Sequence, residues 1–182
     1  MHASAYDGGV EGLIWIHGGL REEFGIQQVV GTTQTNFVGE SHGDLFLFDG
    51  GGCTANIVQS QWLNCAFDNM FQVSQRLKVT SRPENRFGHS MLAYLARSGQ
   101  RLLVFGGATV SVDGDLVMSQ QIWVGDANID DFSRAYVEWS EIDFNHEAGS
   151  PPPRMHASIA LVNNDETLIV FGGQLEDMTF DN

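Results

Sequence analysis

The chain repeats one phrase three times: an apolar strand closed by a glycine pair. The copies are Leu13-Ile-Trp-Ile-His-Gly18-Gly19, Leu102-Leu-Val-Phe-Gly106-Gly107 and Leu168-Ile-Val-Phe-Gly172-Gly173. Ser4 and Ser158 each stand 14 residues before their glycine pairs, in the matching words Met1-His-Ala-Ser4 and Met155-His-Ala-Ser158. In the middle copy, Arg86-Phe-Gly-His-Ser90, the serine stands 16 residues before Gly106, as if two residues were added to the hairpin at Arg97-Ser-Gly99-Gln. An internal repeat outranks other signals, because it sets the architecture before any local reading.

The glycine pairs recur after 88 and then 66 residues, so each unit holds several short strands plus insertions. Val104-Phe105 and Val170-Phe171 are β-branched and aromatic, which suits a pleated surface. The glycines that follow are expected to end the second strand, where the backbone turns or approaches a neighbour closely. Third strands are expected at Asp44-Leu-Phe-Leu-Phe-Asp49 and Gln121-Ile-Trp-Val124. A fourth, Tyr136-Val-Glu-Trp139-Ser-Glu-Ile142, alternates as a half-buried strand does. In the first unit the fourth strand is placed at Phe71-Gln-Val73 and the following Leu77-Lys-Val79. Phe71 precedes Arg86 by the same 15 residues that separate Trp139 from Arg154, which favours it over Trp62.

With these phrases in hand, the chain resembles the kelch-repeat family, whose units are four-stranded antiparallel blades of a β-propeller. The resemblance rests on Gly18, Gly19, Gly106, Gly107, Gly172 and Gly173, on Trp139, on the repeated Ser4, Ser90 and Ser158, and on the phrases Pro83-Glu-Asn-Arg86 and Pro151-Pro-Pro-Arg154. It implies an all-β fold of ten strands: a blade over 1–79 with a long strand-two-to-three insertion at 20–43, a blade over 86–145, and half of a third over 154–182. The first strand of each blade is expected to be innermost. Phe46 and Trp123 stand where the family often has tyrosine. Since propellers close with about 4–8 blades, the chain is expected to be part of a longer propeller or to associate in order to close.

The chain has 23 acidic and 9 basic side chains, a net charge of −14. Such a field repels phosphate backbones and anionic lipid, and it favours a protein partner, with a basic or mixed-charge segment fitting best. No apolar run nears the ~20 residues of a membrane span. Cys53 and Cys65 are too sparse for a zinc site or a disulfide framework, and reduced thiols in the cytoplasm or nucleus are the default expectation.

No catalytic constellation stands out. Neither the Gly50-Gly-Gly52 run nor any glycine pair is followed by Lys-Ser/Thr or by a helix pattern, so phosphate-loop chemistry is excluded. The serines lack a Gly-x-Ser-x-Gly setting and read as hydrogen-bonding residues of the innermost strand. His2 and His156 recur at one repeat position and His89 one step later, which favours a structural role. His17, His42 and His146 have no ligand partners at metal spacing, and neither metal nor cofactor is expected. The carboxylate clusters Asp126/Asp130-Asp131 and Asp113/Asp115 read best as solvated loop charge.

The insertions are the better lead. In a four-stranded antiparallel blade, the loops from strand two to three and from strand four to the next strand one emerge on one face. That face would carry residues 20–43 and 108–119 and the loops of Arg86 and Arg154. Candidate binding residues are therefore Arg21, His42, Arg86, Asp113, Asp115 and Arg154, the two repeated arginines having a structural alternative as ties between blades. The resemblance implies a protein-recognition module, as in ubiquitin-ligase substrate receptors, adaptors and scaffolds. Its alternatives are an enzyme on the same scaffold, such as a copper-radical sugar oxidase or a small-molecule-processing enzyme, or a structural segment of a larger assembly.

Overall fold

The computed structural model describes residues 3–6, 13–29, 32–49, 70–77, 82–111, 115–129, 134–143, 150–162 and 167–175. The fold is all-β, built almost wholly from antiparallel sheets.

The first unit is a meander of β1 (Ala3–Tyr6), β2 (Leu13–Val29), β3 (Thr32–Asp49) and β4 (Met70–Gln72), paired in chain order. Alternation explains its two faces. Ala3, Ala5, Leu13, Trp15, Leu45 and Leu47 are buried toward the second unit, whereas Ile14, Ile16 and Phe46 between them are half-buried on the reverse face.

The chain then crosses at buried Val73 into β5 (Ser74–Leu77), which belongs to the second sheet, beside β6 (Ser90–Ala96), β7 (Gly99–Phe105), β10 (Ile122–Asn128) and β11 (Tyr136–Ile142). Its order is β5-β11-β10-β7-β6, with β5 parallel to β11 and the remaining pairs antiparallel. The short hairpin β8 (Ala108–Val110) and β9 (Leu116–Met118) sits between β7 and β10 in the chain. In the third unit, β13 (Ser158–Val162) pairs with β14 (Thr167–Phe171), and β12 (Arg154–Met155) pairs with β15 (Gln174–Leu175). β6 packs beside β1 on one side and β13 on the other, so the first strands of the three units run side by side.

Two apolar seams hold the units together. Trp15, Trp123 and Trp139, with Leu13, Leu45, Leu47, Leu102, Val104 and Val137, fill the first seam. The second joins Leu103, Phe105 and Ile122 to Ile159, Leu161, Leu168 and Val170 of the third unit. Gly125 makes room for the first: a Cβ there would lie 2.5 Å from Val137 and 2.9 Å from Trp139.

The structure corrects several expectations. The described residues form fifteen strands rather than ten. Residues 20–43 are not an open loop, because β2 and β3 continue into a paired two-stranded arm whose register runs to Val29↔Thr32. Gly18-Gly19 consequently lie inside β2, at a register shift between His17 and Gly19, whereas Gly106 and Gly172 do end β7 and β14. Leu77 belongs to β5, which pairs with β11 of the second sheet, so of the residues expected in the first unit's fourth strand Phe71 and Gln72 pair with β3, while Lys78 and Val79 lie outside the described residues. Ala3, not Ser4, holds the position of Ser90 and Ser158: Ala3 pairs with His17, Ser90 with Phe105 and Ser158 with Phe171, each the residue before a glycine pair. In the middle copy the β6–β7 register runs through seven pairs, from Ser90↔Phe105 to Ala96↔Gly99, so Arg97 and Ser98 form the turn.

Candidate functional site

At each joint between units the same group of atoms meets, built around the repeated arginine. The Arg86 N–H donates to the His42 carbonyl at 3.1 Å, and the Arg86 carbonyl accepts from the Gly19 N–H at 3.0 Å. One unit on, Arg154 N–H donates to the Ser119 carbonyl at 3.3 Å, and its carbonyl accepts from Gly107 N–H at 2.9 Å. Backbone therefore ties each arginine to the preceding unit. Side chain ties it to its own: Arg86 Nη1 donates to the Gly106 carbonyl at 2.9 Å, and Arg154 Nη1 to the Gly172 carbonyl at 2.8 Å. Each Nε also closes on the carbonyl two residues back, Glu84 and Pro152. The following residue then pairs with the one after the glycine pair, Phe87 with Ala108 and Met155 with Gln174.

This latch explains the first glycine of the first two pairs. Gly18 and Gly106 have φ of 65° and 66°, and a Cβ on either would stand 2.5 Å from the Arg86 or Arg154 carbonyl oxygen. Left-handed backbone and lack of room coincide there. The planar fork of arginine, with several donors, suits a position that must reach two carbonyls at once. Burial lowers the Arg86 pKa to about 10, opposed by Glu84 and Glu141, so the group is still cationic at neutral pH.

The arginines stand beside the inserted hairpins. The β2–β3 arm and the β8–β9 hairpin touch, with Ser41 Oγ 3.3 Å from Thr109 Oγ1, so the two insertions are neighbours at that point. His42 is half-buried in β3 and lends its carbonyl to Arg86. Arg21 pairs with Glu40 in the arm, and its side chain lies outside the described residues. Asp115 is exposed at the β8–β9 turn, where its N–H meets Ser111 Oγ at 3.1 Å, while Asp113 lies outside the described residues. Arg86 and Arg154 are only 2 % and 5 % exposed, with guanidinium groups turned inward to carbonyls. Asp126 is on strand β10, not on a loop, and its carboxylate accepts from Arg101 Nε at 2.7 Å.

The sequence reading missed two residues that organise the site. Gln121 Oε1 accepts from Arg86 Nη2 at 3.0 Å and also lies within reach of Ser119 Oγ and Trp123 Nε1. Gln75 Oε1 accepts from Trp139 Nε1 at 3.0 Å while its amide nitrogen donates to the Gly43 carbonyl, fastening the tryptophan to the crossing strand. Neither glutamine belongs to a recognisable motif; a signal exists only in hindsight, in their adjacency to repeat residues.

Beneath the first latch, His17 Nδ1 lies 3.0 Å from His89 Nε2 with the rings edge to face, and Trp139 flanks His17. Both imidazoles are buried, and desolvation lowers their pKa from 6.5, to about 3 for His17 and about 2 for His89, with nearby Arg86 pushing the same way. Among the described residues, His17 Nε2 and His89 Nδ1 have no hydrogen-bond partner. At the second joint the corresponding residues are Phe105 and Ala157, so a polar pair in one seam is matched by an apolar pair in the other.

Among the described residues no group of three or more His, Cys, Asp or Glu is placed to hold a metal ion. A small polar hollow of about 230 Å³ lies where β4 crosses to β5, lined by Asp44, Gln72, Gln75 and Arg82 over Leu45 and Val73. Among the same residues no helix is long and apolar enough to cross a membrane. Fold and site together define an all-β protein of serially latched antiparallel units. No family model matches the chain, and no curated protein matches it either.

Proposed function

We propose that the chain is a segment of a kelch-type β-propeller and serves protein recognition through the side bearing the two inserted hairpins. The observation that carries this reading is the contact between the β2–β3 arm and the β8–β9 hairpin at Ser41 and Thr109. Two insertions from successive units converge on a scaffold whose strands are held by repeated latches. A rigid base with clustered protruding elements is the usual geometry of a recognition surface. The net charge of −14 favours a basic or mixed-charge partner segment, steered to the surface by the long-range field.

Shortening both insertions to tight turns, between Arg21 and Glu40 and between Val110 and Leu116, tests the reading. The variant is expected to lose binding to basic peptides that the unaltered chain captures at low salt. Retained binding would move the recognition surface elsewhere. Charge reversal at Arg86 or Arg154 is unsuited to this test, because their buried latches would break with it.

A further inference from the structure

The two joints share one latch but are filled differently beneath it. At each, the residue before a glycine pair comes together with the third residue after the repeated arginine. These are His17 and His89 at the first joint, Phe105 and Ala157 at the second. The apolar pair needs nothing from water. The histidines do: one hydrogen bond of 3.0 Å joins His17 Nδ1 and His89 Nε2, while His17 Nε2 and His89 Nδ1 have no partner among the described residues. Whichever ring donates in the shared bond, one free nitrogen is an N–H and the other a bare acceptor, where an added proton goes.

Such a proton is badly accommodated while the joint is closed. His17 and His89 are 0 % and 6 % exposed, and Trp139 flanks His17. The charged groups acting on the rings are Arg86 and Arg82, both cations, whereas Glu84 and Glu141 act on Arg86. A new imidazolium therefore meets neither water nor a facing carboxylate among the described residues, and opening the joint hydrates both rings. The pair also lies directly against the latch. A Cβ on Gly18 would stand 2.5 Å from the Arg86 carbonyl oxygen and 2.9 Å from His89 Cε1, and that carbonyl is the one that accepts from Gly19. What this joint holds together is the two insertions: β2 runs on from Gly19 into the arm, and Ala108 of β8 is bridged to Phe87, the residue after Arg86.

We infer that the first joint is an acid-sensitive hinge: proton uptake by the His17–His89 pair opens the Arg86 latch, and with it the contact between the β2–β3 arm and the β8–β9 hairpin, while the second joint stays closed. The second joint has a histidine of its own, His156 beside Gly88, but that side chain is exposed and meets water with the joint closed. On the recognition reading, acid then takes the binding surface apart. The hinge itself does not rest on that reading, and its test uses no partner.

Amide hydrogen exchange of the whole chain at pH 7 and pH 5.5, each rate divided by the intrinsic rate at that pH, tests this. At pH 7 the amides of Gly19, Arg86, Gly107 and Arg154 are expected to be protected alike. At pH 5.5 protection of Gly19 and Arg86 is expected to fall about a hundredfold, as two imidazoles that bind protons only in the open joint require. Gly107 and Arg154, and Leu103 in the second sheet, are expected to keep theirs. His17→Phe with His89→Ala gives the first joint the residues of the second and is expected to remove the acid effect. Loss of protection at all four joint amides in step would mean that acid unfolds the chain as a whole, and would overturn the inference. So would unchanged protection at Gly19 and Arg86, or an acid effect that persists in the double variant. The second joint is a control within the same molecule, so the unaltered chain decides the question even where the variant does not fold.

Discussion

Gly106 and the histidine pair show how far single residues carry this fold. Gly106→Ala would place a methyl group 2.5 Å from the Arg154 carbonyl oxygen in a left-handed backbone. The conformational penalty alone is about 1–2 kcal/mol, and the clash is with backbone that the latch holds fixed. A loss of about 2 kcal/mol or more is therefore expected in chemical denaturation, and Gly18→Ala should match it at the first joint. His17 and His89 give the first seam a pH dependence. Their folded pKa values are lowered from 6.5 to about 3 and about 2, so below pH 6.5 the unfolded chain binds more protons than the folded one. Stability is full above pH 6.5 and falls as the pH drops from there toward 3. For two such groups the loss is about 3 kcal/mol by pH 5.5. Replacing the pair by the residues of the second joint, His17→Phe with His89→Ala, is expected to flatten that dependence between pH 7 and 5.5 in urea melts. An unchanged slope would remove the pair as its source.

At the scale of elements, what could be read from the sequence follows the range of the interaction. Residues 136–142 alternate Val137 and Trp139 inward against polar neighbours, and that local pattern suffices to place β11. The hairpins β6–β7 and β13–β14 are legible for the same reason, closed by glycines that only a turn or close approach requires. The arm is not. Residues 20–43 hold β-favouring Ile26, Val29, Thr33 and Val38, but Gly25, Gly31 and Gly39 interrupt them without a clear alternation, and the two halves pair with each other. Parallel strand β5 is still less visible, since its partner β11 lies some sixty residues away in sequence. Within the candidate site the arginines could be picked out by repetition, but their direction could not: loop arginines and buried staples look alike in sequence, and Gln75 and Gln121 act only through where the fold brings them. The arm also makes a prediction of its own. Along the arm, residues 21–29 take their ladder partners from residues 32–40, so this backbone pairing is internal to the arm. Trimming the arm beyond Arg21 and Glu40 is therefore expected to shift the thermal midpoint by only a few degrees, about 1 kcal/mol in a domain of this size.

Among the described residues, two antiparallel units and a hairpin of a third follow one another, joined twice by the same latch. Each latch spends an arginine backbone on the unit before and an arginine side chain on its own unit, so sheets that share no continuous strand ladder still act together. Apolar seams supply most of the adhesion, and the latch sets which faces meet. Amide hydrogen exchange of the intact chain tests that claim most directly. Arg86, Gly107 and Arg154 belong to no long strand ladder and Gly19 stands at the register shift of β2, yet the amide of each donates across a joint. They are expected to exchange as slowly as Leu103 and Val137 in the centre of the second sheet, and all four together, as one cooperative unit does. Exchange of these four at the rate of an open loop, while the sheets stay protected, would contradict the account and leave the units as independent hairpins on a string.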